Sequence, residues 1–324
     1  MKIVFFCGHE SLFGRQSLEA LVGTDLHPEV VIAGTPLTWK SFDKKLNKNR
    51  VLGLPRQMRK WYYARKNSNW LLRLTREHGI ELRLIEDVNS PKGLQELQAL
   101  QPDLFICAAY PQILERAWLD IPPQGALGFH PSLLPAFRGA HPHFWAIRNG
   151  ASVTGLTAYR MTSEIDQGEI LAQVRFDLPD LNYSQLYQKI GQSLPELVEK
   201  TADVFLRSGR IELLNKGLES SYFWNNRPED ARLCWDDYTL EEIHCIVRTG
   251  IAWAVYRTRK IRILDGQPVK DHPELDIKLP AGSIQKDQGG KTYIRCIDGW
   301  LQVHNWRWER ELFRPGLRAG EMVR

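Results

Sequence analysis

His130 and Asp166 are the residues whose types and surroundings suit proton chemistry. His130 opens the run His130-Pro131-Ser132-Leu133-Leu134-Pro135, and Asp166 lies in Ile165-Asp166-Gln167-Gly168, 36 positions further on. Local structure cannot join residues so far apart, so only a tertiary fold brings them together. A carboxylate beside an imidazole stabilises the imidazolium. Such a pair can donate to a developing oxyanion and manage protons in acyl transfer. Taken singly, each residue has a plainer reading: a turn aspartate commonly caps its own backbone, and a loop histidine is commonly a satisfied structural group. Ser132 invites a Ser-His-Asp hydrolase reading, but it sits in no GxSxG elbow, and that reading is set aside.

The elements that must carry this pair read as alternating strands and helices. Lys2–Cys7 is an apolar run ended by Gly8, a buried strand; Ser17–Val22 has helical spacing and Val30–Ala33 is a second strand. This is a βαβ unit, and Gly8 and Gly14 do not make the GxGxxG of a dinucleotide fold. A helix over Trp70–His78, a strand at Glu81–Ile85 and a helix over Ser90–Leu100 follow. Leu104–Ala109 is the most apolar strand, and Tyr110-Pro111-Gln112-Ile113-Leu114 leaves its carboxyl end, where open α/β sheets bind ligands. Ala126–Phe129 delivers His130 to the same edge. A helix over His143–Asn149 follows, then strands Thr154–Arg160 and Ile170–Phe176 flanking the Asp166 turn, and a long amphipathic helix over Ser184–Leu206.

From Trp224 the texture changes. Arg227-Pro228-Glu229-Asp230 reads as a linker, Leu240–Val247 as a helix, and the rest as short strands at Ile261–Leu264, Gly282–Gln285, Thr292–Ile297 and Leu301–Trp306. Turn residues, Asp265-Gly266 among them, separate these strands in the rhythm of a small β-barrel. Six of the eleven tryptophans fall here, suited to barrel core or to ligand stacking. The expected organisation is residues 1–210 as one α/β domain, 211–228 as linker and 229–324 as the barrel.

Composition narrows the classes. With 324 residues, 43% hydrophobic and 25% charged, the chain is an ordinary globular protein with room for two domains. No apolar run reaches the length of a membrane span, and the start is too short for a signal peptide. Five scattered cysteines without CxxC spacing suggest neither a disulfide framework nor a zinc site, so no metal is expected. A cytoplasmic, reducing location fits these features. Net charge is only +5, but Lys40–Lys66 holds ten Lys/Arg against Asp43 alone, with Trp61, Tyr62 and Tyr63 interleaved. That mixture suits nucleic acid or a nucleotide-linked molecule, and equally a solvated insertion.

The His–Asp stretch resembles the folate-dependent formyltransferases, whose pattern is Asn-x-His-x-Ser-Leu-Leu-Pro followed by a Leu-Asp-x-Gly turn. His130–Pro135 and Ile165–Gly168 match it; Arg138-Gly139, Thr154-Gly155 and the Gln112-Ile113-Leu114 loop are similar to the methionyl-tRNA and sugar branches. His141 and His143 are more like the purine branch. The resemblance covers most of the chain and is weakest between Thr38 and Arg76. It implies a Rossmann-like formyltransferase domain with a smaller C-terminal β-barrel (OB-like) domain, and transfer of formyl from 10-formyltetrahydrofolate to a primary amine. It assigns His130 to the oxyanion and Asp166 to holding that histidine cationic and passing the amine's proton. The pterin would lie against Tyr110, Pro111, Gln112, Ile113 and Leu114 and the backbone of Ser163, Glu164 and Ile165. The acceptor would meet Ser132, Arg138, His141 and His143.

The family's asparagine, a donor to the formyl oxygen, falls on Gly128. Three explanations stand: a donor from elsewhere, with His141 and His143 as candidates; a slower enzyme or another acceptor; or a folate- or nucleotide-binding homologue without catalysis. If the pocket keeps the family's shape, Gly128→Asn is expected to be tolerated. The two departures favour a small acceptor bearing phosphate, a nucleotide-linked amino sugar above all. Methionyl-tRNA is the alternative acceptor.

Overall fold

The computed structural model describes residues 1–34, 70–209, 211, 213–214, 217–309 and 316–324. The basic Lys40–Lys66 stretch lies outside the described residues. The chain forms two compact units. The first comprises Met1–Arg138, Gly155–Arg175 and Lys189–Ser221, and the second Gly139–Thr154, Phe176–Gln188 and Tyr222–Arg324.

In chain order the elements of the first half are β1 (Ile3–Cys7), α1 (Leu12–Leu21), β2 (Val30–Ala33), a helix over 70–77, β3 (Glu81–Leu84), α2 (Pro91–Ala99), β4 (Leu104–Ala108), α3 (Arg116–Leu119), β5 (Ala126–His130) and β6 (Arg138–Gly139). Then come α4 (Pro142–Arg148), β7 (Val153–Arg160), β8 (Ile170–Asp177), α5 (Tyr183–Arg207) and β9 (Tyr222–Phe223), which forms a separate two-stranded sheet with β6.

The seven-stranded sheet has the order β3-β2-β1-β4-β5-β7-β8. β1 pairs in parallel with both β2 and β4, and β5 is parallel to β4 and antiparallel to β7. Every residue of β1 and β4 is buried, as strands covered on both faces require. Because side chains alternate, Val4, Phe6, Phe105 and Cys107 share one face, where they join Val30, Ile32 and Trp118 in an apolar cluster. Trp118, carried by the four-residue helix α3 that the sequence pattern does not reveal, packs edge-on to Phe6 with ring centroids 4.7 Å apart. Helix α1 starts at Leu12, five residues before the expected Ser17, because Ser11 caps it by accepting from the Gly14 N–H at 3.0 Å. The strand order reverses between β1 and β4, so the Tyr110–Leu114 loop and His130 both leave the carboxyl edge near the switch point.

The second unit holds a 3₁₀ turn at Pro228–Ala231, α6 (Leu240–Arg248), β10 (Trp253–Tyr256), β11 (Arg259–Val269), β12 (Ile284–Lys286), β13 (Thr292–Cys296) and β14 (Gly299–Trp308). Its antiparallel sheet runs β10-β11-β14-β13-β12. Asp265-Gly266, expected as a turn, lies inside β11 at a register shift against β14, so the strand bends there and continues to Val269. The sheet curls, and residues 320–324 run between its two edges. Val255 exchanges backbone hydrogen bonds with Arg324, while Val323 N–H donates to Gly282 O and Ile284 N–H to Glu321 O. Trp235, Trp300 and Trp308 are buried in this unit, whereas Trp224 is 75% exposed. Trp253 and Trp306 are partly buried and pack against the same core, so most of these tryptophans serve the core rather than a stacking surface. Phe144 from α4 packs into the same core.

One buried hydroxyl ties the His130 loop to the sheet. Thr157, opposite His130 in the β5–β7 register, donates to Ser132 O at 2.7 Å and accepts from Leu134 N–H at 3.1 Å and Gln173 Nε2 at 3.2 Å. Thr157→Val keeps the shape and removes a hydrogen-bond partner from Ser132 O and Leu134 N–H, while Gln173 Nε2 keeps its bond to Leu134 O at 3.1 Å; the cost is about 1–3 kcal/mol per group left unsatisfied. Urea denaturation is expected to show a loss of at least that size, with a midpoint shift and an unchanged slope.

Candidate active site

The fold places the two sequence-selected residues face to face within the first unit. His130 ends β5, and Asp166 sits in the turn between β7 and β8 at φ +53, a left-handed conformation that aspartate tolerates better than most residues. Gly168 fixes that turn: a Cβ there would lie 1.5 Å from Arg160 O, so no side chain fits. His130 Nδ1 lies 3.7 Å from Asp166 Oδ2, and both side chains are nearly buried. On the other side of the ring, Nε2 lies 2.9 Å from Phe137 O, so Nε2 carries a proton and donates to that carbonyl. Phe137 presents its carbonyl from a left-handed conformation of its own, φ +57.

A third side chain completes the group, and neither motif names it. Tyr159 is opposite Gly128 in the β5–β7 register, and Cys107 is opposite Gly128 on the other side. A Cβ on Gly128 would lie 2.4, 2.5 and 2.7 Å from Tyr159 Cε1, Cζ and Oη. The phenol thus lies across the bare glycine, and its hydroxyl donates to Asp166 Oδ1 at 2.7 Å. An asparagine's amide nitrogen stands about 2.5 Å from its Cβ, from ordinary bond lengths and angles. Tyr159 Oη therefore occupies much the same distance from the backbone as the polar end of the absent side chain. Burial, and then the Asp166 charge, hold the Tyr159 hydroxyl well above the ordinary phenol range, so it is a neutral donor. Burial likewise pushes the Cys107 thiol up to about 12, which leaves it a poor nucleophile.

The other sequence-selected residues divide. Gln112 clamps its loop, accepting from Val88 N–H at 3.1 Å and donating to Glu86 O at 2.7 Å, and Asn89 Nδ2 donates to Ile113 O. Tyr110 turns its ring against Phe6, and its buried hydroxyl has no hydrogen-bond partner among the described residues. Leu114 packs against the same apolar cluster, while Pro111 and Ile113 are exposed, as are Ser163, Glu164 and Ile165. Ser132 is corrected: it is fully buried, its Oγ donates to Ala136 O at 2.7 Å, and no face remains for an acceptor. Arg138 is half-buried, its backbone N–H donating to Ser221 O.

His141 and His143 belong to the second unit. His143 is buried with Nε2 2.8 Å from Tyr183 Oη and 3.1 Å from Tyr187 Oη, a bracing arrangement. His141 lines a cavity of about 1020 Å³ with Tyr183, Asp180 and His244, and burial lowers its basicity. Neither histidine fills the space at Gly128, which Tyr159 takes. Among the described residues, no cluster of His, Cys, Asp or Glu could hold a metal ion, and no helix is long and apolar enough to cross a membrane.

The space beside Gly128 is filled from the neighbouring strand, by the Tyr159 ring, and by neither histidine. The condition set for tolerance of Gly128→Asn, an open pocket at that position, is not met, because the new Cβ would enter the Tyr159 ring. Overpacking of this kind costs about 1–3 kcal/mol. Gly128→Asn alone is expected to destabilise by that amount, and the cost to fall when Tyr159→Ala is combined with it. A double-mutant cycle in urea reads the coupling directly.

Comparison with known proteins agrees with this architecture. A formyl transferase family model matches residues 1–199, and a formyl transferase C-terminal domain model matches residues 226–311. The chain is 28% identical over 238 residues to a methionyl-tRNA formyltransferase of Ruminiclostridium cellulolyticum, an alignment covering 70% of this chain and 73% of that one. It is 40% identical over 199 residues to a methionyl-tRNA formyltransferase of Trichlorobacter lovleyi, covering 61% of each. An N-formyltransferase structure from Helicobacter canadensis, in complex with folinic acid and dTDP-3-aminofucose, shares the fold. Its TM-score is 0.61 at 16% identity, covering 95% of this chain and 100% of that one.

Proposed function

The chain belongs to the formyl transferase family, and on that footing we propose that it moves a formyl group from 10-formyltetrahydrofolate to a primary amine. The observation that carries this reading is the His130–Asp166 pair, 3.7 Å apart at the carboxyl edge of a parallel sheet. We place the chemistry within residues 1–210.

The residues present fit a pterin at the switch-point crevice. The unpartnered Tyr110 hydroxyl and the exposed Ile113 and Ile165 offer it a polar atom and apolar contact. Tyr110–Leu114 and Ser163–Ile165 would hold it, and the bound folate would supply the activated formyl group. His130 then serves the developing oxyanion with an N–H, exchanging the Phe137 carbonyl for a more strongly charged acceptor. Asp166 faces and orients the imidazole and takes the amine's proton, directly or through water.

For the acceptor, we favour an amine on a small phosphate-bearing molecule, such as a nucleotide-linked amino sugar. This rests on the glycine at position 128 and on the divergent Thr38–Arg76 stretch with its excess of cations. Methionyl-tRNA is the second reading, favoured by the 40% identity to the Trichlorobacter lovleyi enzyme.

Incubation with 10-formyltetrahydrofolate and either nucleotide amino sugars or charged initiator tRNA separates the two acceptors. Formylation of the tRNA alone would overturn the first. His130→Ala and Asp166→Asn are each expected to lower kcat/KM by about 10²–10⁴ while leaving the melting transition in place. Near-normal turnover in either variant contradicts the assigned roles.

A further inference from the structure

We propose that Tyr159 is a catalytic residue of this site: its hydroxyl is held by Asp166 before reaction and turns to the formyl oxygen once Asp166 has taken up a proton. The inference rests on the formyl-transfer reading above and adds to it a residue that neither motif contains.

Three observations carry it. First, the phenol is in the reaction group rather than beside it: Oη is 2.7 Å from Asp166 Oδ1, and the other carboxylate oxygen faces His130 at 3.7 Å. Second, the ring cannot lie there unless the position opposite is bare, since even a methyl group on Gly128 would come within 2.7 Å of its outer atoms. A side chain serving only to fill the sheet face need not carry a polar atom to a buried carboxylate; phenylalanine would fill the same volume. Third, His130 Nε2 is engaged by Phe137 O at 2.9 Å and Nδ1 faces Asp166, so an oxyanion formed here benefits from a donor besides the imidazole. Buried and beside an anion, the phenol keeps its proton throughout and acts as a neutral donor.

The balance of the step is as follows. The amine lone pair forms the new C–N bond, the carbonyl π pair moves onto oxygen, and the amine proton passes to the Asp166 carboxylate. A neutral carboxyl is a weaker acceptor than a carboxylate, while the new oxyanion is a stronger one. Rotation of the hydroxyl about its C–O bond moves the Tyr159 hydrogen bond from the first to the second. When the oxyanion pair returns to carbon, the bond to the formyl donor's nitrogen breaks. Asp166 gives its proton to that nitrogen, and Tyr159 returns to the carboxylate. One O–H thereby stabilises negative charge wherever it resides during the cycle.

The test compares the wild type, Tyr159→Phe, and protein carrying site-specifically incorporated fluorotyrosines at position 159. Turnover is measured with 10-formyltetrahydrofolate and an amine that the wild type formylates. Tyr159→Phe is expected to lose about 10²–10³ in kcat, the usual effect of removing one oxyanion donor, with little change in KM. Fluorination, which acidifies the phenol and keeps the ring, is expected to change kcat progressively with the number of fluorines. A role in packing alone would leave kcat insensitive to that series and nearly unchanged in Tyr159→Phe; either result overturns the proposal. The fluorotyrosine series also decides the matter should Tyr159→Phe fold poorly. A wild type that formylates no amine removes the formyl-transfer reading and this proposal with it. An active wild type with an insensitive position 159 removes this proposal alone.

Discussion

The contact between the Tyr159 phenol and the side-chain-free backbone at Gly128 is the constraint from which the rest of the site follows. It lets an aromatic ring cross a strand and brings a hydroxyl to one oxygen of Asp166, while the other oxygen faces His130. The turn that presents Asp166 is fixed independently, by Gly168 against the Arg160 carbonyl. Two glycines thus do opposite work. One makes room for a neighbour's side chain, and the other brings two backbone segments into contact.

Behind this group stands a second layer of polar commitments that hold the His130 loop. Thr157 links Ser132, Leu134 and Gln173, and Ser132 closes onto Ala136, so the run is held on several sides with Pro131–Leu134 buried. The serine of the motif is therefore a structural residue. Its hydroxyl shapes the loop that aims the imidazole, and the imidazole is then braced by the Phe137 carbonyl. Such bracing limits the reorganisation left for the moment of reaction, which is where electrostatic catalysis draws its advantage.

Much of this was legible in the sequence, for identifiable reasons. β1 and β4 are covered on both faces and therefore appear as unbroken apolar runs, so the buried strands can be read directly, while their order comes only from the fold. His130 and Asp166 stand out by residue type. Tyr159 does not, because in sequence it is one more aromatic in an alternating strand. Its significance depends on a register between β5 and β7 that pairs it with Gly128, and only the folded sheet supplies that register. The same limit explains Asp265-Gly266, whose composition is that of a turn while the pairing of β11 with β14 makes it a bulge. His141 and His143 attracted attention as histidines near the motif, yet α4 carries them into the core and cavity of the second unit.

The curled sheet of the second unit has a property that bears on how the protein behaves at high concentration. An open antiparallel sheet ends in two rows of unpaired amides and carbonyls, each a template onto which a strand from another molecule can add. Here residues 320–324 occupy both rows, pairing with Val255 on one side and with Gly282 and Ile284 on the other. The segment acts as a resident guard strand at these positions, so part of each edge's hydrogen-bonding demand is met within one molecule.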